Sequence, residues 1–164
     1  MSYQLESMLH IRLMREDRAS KDLVSARHAQ EVAAAALEKS ETRYREWSET
    51  KEDRRDRIYD AIMGVPVKRL EIELAKEAVS RIDEEGALLN DGVTRSKADL
   101  KAKEEESAKA RGRYVAALRN REKIVRHREV WAEEERKRQE YSAEAELEEF
   151  TGRKMHDDES DDFD

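Results

Sequence analysis

The chain contains a single proline, Pro66, and it falls in Met63-Gly64-Val65-Pro66, between two long stretches in which almost every residue is compatible with a helix. Gly64 permits turn dihedrals, and Pro66 disfavours helix at the residue before it. One sharp break with helix-forming sequence on both sides predicts an all-α hairpin. The rest of the composition agrees. Of the 164 residues only 37% are hydrophobic and 5% aromatic, whereas 45% are charged. That is too little apolar material for a broad globular core, but enough for long helices that bury a narrow seam. Acids (40) and bases (33) are interspersed rather than blocked, which favours helix over disorder.

The seam can be read by stepping through heptads. Upstream of the break, one position carries Leu9, Glu16, Leu23, Gln30, Leu37, Tyr44, Lys51 and Ile58, and its companion carries Ala26, Ala33, Ser40, Trp47, Arg54 and Ala61. Downstream, Ile72, Val79, Gly86, Val93, Leu100, Ser107 and Tyr114 alternate with Ala75, Ile82, Leu89, Ser96, Lys103, Ala110, Ala117, Ile124 and Trp131. This is a patchy coiled-coil pattern, weakest where Lys51 and Arg54 fall together. The expected organisation is a first helix over 4–62, a turn over 63–66 and a second helix over 67–150. Gly86 and Asn90-Asp91-Gly92 predict a kink or break over 86–92. The last ten residues, Met155 to Asp164, hold six acids and no Lys or Arg. With Gly152 before them, they predict a disordered acidic tail over 151–164.

Helices joined by a tight turn pair antiparallel, so residues whose numbers sum to about 130 should face each other. That sets Ile58 near Ile72, Leu37 near Val93 and Leu23 near Ser107. It also uses up the first helix when the second reaches His127, so that 127–150 should overhang. At 1.5 Å per residue the paired part would be roughly 90 Å long and the overhang roughly 35 Å. Trp131, Tyr141, Leu147 and Phe150 fall in that segment. Ala143, Leu147 and Phe150 lie at i, i+4 and i+7 and make a short stripe suited to docking. Trp131 sits on the seam frame and fits either docking or packing as a cap on the hairpin.

Several function classes find no support. There is no cysteine, hence no disulfide, thiolate nucleophile or Cys-based zinc site. Phosphate-loop, H-E-x-x-H and G-x-S-x-G patterns are missing, so the chain is not expected to be an enzyme or to need a cofactor. Asp157, Asp158, Glu159, Asp161 and Asp162 lack the spacing of a calcium loop, and no metal site is expected. Seven Lys or Arg and one acid lie between Arg111 and Arg128. They wrap around the helix with no aromatic ladder, and the net charge is −7, which argues against nucleic acid as a partner. The bases then form a solvated face, or one that meets an acidic protein surface. No apolar run is long enough to span a membrane, and a cytoplasmic location is expected.

The two ends of the chain resemble a known family. The run YQLESMLHIRLMREDRA, with Tyr3, Leu5, Leu9, Ile11, Arg12, Arg15, Glu16, Arg18 and Ala19, is similar to the opening helix of the type III secretion stalk proteins of the YscO group, relatives of the flagellar export protein FliJ. The run HREVWAEEERKRQEYSAEAELEEF resembles their closing helix through His127, Glu129, Trp131, Glu134, Glu148, Glu149 and Phe150. The break at RIYDAIMGVPVKRLEIEL falls where the family's hairpin turns, so the resemblance covers about residues 3 to 150. It implies an antiparallel two-helix coiled coil similar to the rotary stalk of F- and V-type ATPases. It further implies that the paired termini enter the pore of the hexameric secretion ATPase and that the protein reaches toward the cytosolic ring of the export gate. Secretion chaperones are implied as further partners. The residues implied at the ATPase are Tyr3, Leu5, Leu9, Arg12, Arg15, Arg18, Glu129, Trp131 and Glu134. Two other readings of the same sequence stand beside it: a soluble helical chaperone or escort, and a homodimeric structural coiled coil.

Overall fold

The computed structural model describes the backbone of residues 3–158 and the side chains of residues 3–149. It consists of two helices, α1 (Glu6–Asp60) and α2 (Arg69–Asp158). The connection between them is built by local chemistry. Met63 donates its backbone N–H to the Tyr59 carbonyl at 2.9 Å, and Gly64 then adopts a left-handed φ of 75°, which ends the helical path. After Pro66, Lys68 caps α2: its backbone N–H donates to the Glu71 carboxylate at 2.7 Å, the reciprocal half of a capping box.

The helices pack through the heptad frame. Among the described residues the buried apolar side chains are Tyr3, ahead of α1, Leu9, Leu23 and Ala33 from α1, and Ala75, Val79, Ile82, Val93 and Ala110 from α2. From Leu9 to Ile58 the frame residues of α1 are buried or half-buried. Ala61 is exposed, because α1 has already ended. Ile72, in the first turn of α2, is 37% exposed. The chain divides into two units, one made of Met1–Arg18 with Tyr114–Asp164 and the other of Ala19–Arg113.

In the second unit the pairing is antiparallel but displaced from the arithmetic of a tight turn. Ser40 shares a 3.1 Å hydrogen bond with Ser96 rather than lying opposite Asn90, and Arg54 donates to Glu85 at 2.8 Å. Lys97 lies 3.2 Å from Glu41, and Arg55 lies 3.5 Å from Asp83. The helix ends at Asp60 and Arg69 are centred where a tight turn would put them, so the displacement is a slide of α2 along α1 and not an effect of loop length.

Two local expectations meet a different geometry. The helix α2 runs through Gly86 and Gly92 without interruption. Gly86 is instead the floor of a contact: a Cβ there would overlap the indole of Trp47, which lies directly on the α2 backbone and donates Nε1–H to the Ile82 carbonyl at 3.1 Å. At the other end α2 extends to Asp158, so the first eight positions of the expected acidic tail (151–158) belong to the helix and 159–164 lie outside the described residues.

Candidate partner-binding surface

In the first unit the opening residues of the chain fold onto the later part of α2. Tyr3 is only 8% exposed. Its ring lies 5.3 Å from Trp131 at 50° and 5.8 Å from His127 at 44°, and its hydroxyl shares a 2.8 Å hydrogen bond with His127 Nδ1. Tilted aromatic pairs at these separations add to simple burial. Glu6 lies 3.6 Å from Arg128 on the same stretch. The expected overhang therefore begins later than His127, because Tyr3, ahead of α1, reaches along α2 as far as Trp131. Trp131 is half-buried as part of this clasp.

About two turns further in along α2, Glu16 and Arg121 occupy seam positions that would otherwise be apolar. Glu16 Oε2 is 2.9 Å from Arg121 Nε, with side chains 16% and 33% exposed. The contact is ionic rather than an aligned hydrogen bond, since neither atom has a partner of hydrogen-bonding geometry. A charged pair at a core position specifies pairing more than it adds stability.

The residues implied at the ATPase are thus of two kinds. Tyr3 and Leu9 are buried, and Leu5, Arg12 and Trp131 are half-buried, so their apolar faces are spent inside the chain. Arg15, Arg18, Glu129 and Glu134 are exposed. Glu134 lies 3.8 Å from Arg138, and Lys137 and Glu133 lie 3.1 Å apart. The hydrogen bond and charge of Lys137 hold the Glu133 carboxyl below its ordinary range. Such exposed i, i+4 pairs stabilise a helix only weakly and can be exchanged for contacts with a partner.

Beyond the clasp, Ala143 is exposed and Leu147 is 65% exposed, with Tyr141 at 76%. The side chain of Phe150, the third member of the expected stripe, lies outside the described residues.

A second surface was not apparent from the heptad pattern. Around the turn, Tyr59, Met63, Val65, Leu70 and Leu74 are 43%, 71%, 54%, 65% and 55% exposed. The signal was present as large apolar residues off the seam frame, but within a turn motif Met63 and Val65 read as punctuation. Clustered exposed apolar groups of this kind mark interaction sites.

Among the described residues no helix is long and apolar enough to cross a membrane, and no three His, Asp or Glu side chains converge as a metal site would require. The fold recurs in solved structures. The type III secretion protein YscO from Vibrio parahaemolyticus matches with a TM-score of 0.80 and 24% identity, over 89% of this chain and 92% of that one. A putative YscO homolog from Chlamydia trachomatis matches with a TM-score of 0.78 and 20% identity, over 99% of each chain. No curated protein matches the chain. The family model for type III secretion protein YscO matches residues 5–153. With that model spanning nearly the whole sequence, the chain belongs to the YscO family of type III secretion proteins.

Proposed function

We propose that this type III secretion protein is the central stalk of its export machinery, a non-catalytic coupling element on the cytoplasmic face of the apparatus. The observation that carries the reading is the clasp of Tyr3 with His127 and Trp131. It consolidates both ends of the coiled coil into one charged unit, the part the family resemblance assigns to the pore of the hexameric ATPase. One asymmetric helix pair within a six-subunit ring contacts the subunits unequally and so biases some interfaces over others. Arg15, Arg18, Glu129 and Glu134 suit that task, because exposed ion pairs are individually weak and re-form readily as contacts change. Tight apolar locking would stall a turning or switching stalk. The apolar turn at Tyr59, Met63, Val65, Leu70 and Leu74 is left for the cytosolic ring of the export gate.

The test is the ATP hydrolysis rate of the cognate hexameric ATPase titrated with three proteins: the full chain, Arg15→Glu with Arg18→Glu, and a truncation ending at Gln139 that retains the clasp. Stimulation by the full chain and by the truncation, lost in the charge-reversed variant, is the expected pattern. If the full chain has no effect on an ATPase shown to be hexameric, the stalk reading fails. The second reading, an escort for secretion chaperones, rests on the exposed Tyr141 and Leu147. It predicts chaperone binding that the truncation abolishes, with no change in hydrolysis.

A further inference from the structure

We infer that Trp47 and Gly86 form a register key for the second unit, a lock-and-notch that holds α1 and α2 in one of the alignments their heptads allow. The need for a key follows from the seam. A heptad seam is unchanged in kind when one helix slides by seven residues, and only distinctive pairs tell the alignments apart. Most pairs in this unit are not distinctive. Ser40 meets Ser96, Arg54 meets Glu85 at the surface, and Lys51 and Lys103 occupy frame positions half-buried.

Trp47 is different in size and in what it requires. Its indole rests where a Cβ on α2 would overlap the ring, and its Nε1–H reaches the Ile82 carbonyl at 3.1 Å. Tyr44 stacks on it at 5.6 Å and 28°, and the Lys51 ammonium lies 5.4 Å from the ring centre. Of the α2 frame positions in this unit only residue 86 is glycine. Sliding by one heptad puts Val79 or Val93 beneath the indole, and the ring can no longer touch the backbone.

The turn leaves a slip open in either direction. Only eight residues, 61–68, separate the helices. With Ser40 opposite Ser96, Asp60 lies level with about residue 76, so a heptad slide that shortens the connection brings Asp60 level with Arg69 and still leaves residues 61–68 to reverse the chain. Sliding that lengthens it requires only unwinding the first turns of α2, where Leu70 and Leu74 are already exposed, and a longer loop adds little entropic cost. The alternative alignments therefore place Ser40 opposite Leu89 or Lys103 in place of Ser96.

Because the chain has no cysteine, the alignment can be read directly by engineered disulfides in the full-length protein. Ser40→Cys is paired with Ser96→Cys, which reports the present register, or with Leu89→Cys or Lys103→Cys, which report the two slipped ones. Each pair is oxidised in the native background and in Trp47→Ala, Gly86→Ala and the double variant, with circular dichroism confirming that each remains helical. In the native background the Ser96 pair closes and the Leu89 and Lys103 pairs do not. In Trp47→Ala the ratio of native to slipped cross-link falls about tenfold or more, a change of about 1.4 kcal/mol. Gly86→Ala, which expels the ring, has a similar effect, and the double variant is no worse than either single one because both remove the same contact. If Trp47→Ala and Gly86→Ala keep the Ser96 cross-link as the sole product, the register is held elsewhere, for instance by the Tyr3 clasp, and the key is refuted. Additive effects in the double variant refute it equally.

Discussion

Replacing Tyr3 by alanine tests whether the end of the chain is held by the aromatic clasp. The side chain is 8% exposed, with ring contacts to Trp131 and His127 and one hydrogen bond to His127 Nδ1. Taking about 1 kcal/mol for each tilted ring pair and about 1 kcal/mol for the hydrogen bond, the truncation loses about 3 kcal/mol. Because Tyr3 lies ahead of α1, the loss should appear as local opening rather than global unfolding. Native-state amide exchange around Leu9 and from Ile124 to Trp131 should accelerate roughly a hundredfold, while amides of the second unit are unaffected. The indole resonance of Trp131 should move toward its exposed position. Tyr3→Phe keeps the rings and gives up only the hydrogen bond, so its exchange should rise about fivefold. Unchanged exchange in Tyr3→Ala would mean that the clasp contributes nothing to closure and that the seam from Leu9 onward holds the ends by itself.

Other consequences are quicker to state. Ile82 is 4% exposed, with its carbonyl accepting the Trp47 indole N–H, so Ile82→Asp buries an unpaired charge and should remove most of the helical circular dichroism at 25 °C. Arg121→Leu leaves the Glu16 carboxylate without its counterion and should lower urea stability by about 1–3 kcal/mol, with recovery in the exchanged pair Glu16→Arg with Arg121→Glu. Met63→Asp with Val65→Asp should change stability by less than about 0.5 kcal/mol and weaken binding to the purified gate ring, a result that separates docking from folding at the turn. In an NMR titration Glu133 should ionise below the ordinary carboxylate range and return to it in Lys137→Ala. A carboxyl whose folded value is depressed favours the folded state above its unfolded value, so that small contribution is lost as the pH falls through the depressed value.

How much of this was legible follows from which interactions are local. The helices, the turn and the seam membership rest on a period of 3.5 and on the chemistry of Gly64 and Pro66, all of which one stretch of sequence carries. Gly86 was misread for the same reason. Seen alone, a helical glycine signals a weakened helix, and its role depends on Trp47, which neither spacing nor composition ties to it. Trp131 likewise has two local readings, and choosing between them required knowing that Tyr3 reaches it.

The common cause is translational degeneracy. A heptad frame says which residues face inward and is silent about which partner each one meets, because sliding by seven preserves every inward position. Apolar seams reduce that ambiguity when their layers differ in size, but here Gln30, Ser40, Lys51, Arg54, Lys103 and Ser107 occupy frame positions and leave few distinctive layers. Alignment then falls to a handful of unusual side chains: a tryptophan on a glycine, a tyrosine against a histidine and a tryptophan, and one carboxylate with its guanidinium. Each of these is nonlocal, and two of the three lie near the chain ends that the proposed function brings to the ATPase. In a stalk that works by presenting different contacts to different subunits, alignment of the two helices determines which charges share a face. On the stalk reading, the residues that fix alignment are therefore expected to alter ATPase coupling through the charges they align as well as through any contact of their own. Tyr3→Ala should weaken stimulation while leaving Arg15 and Arg18 in place, and restoring the ring with Tyr3→Phe should return most of it. A stimulation curve for Tyr3→Ala identical to that of the native chain would separate helix alignment from coupling.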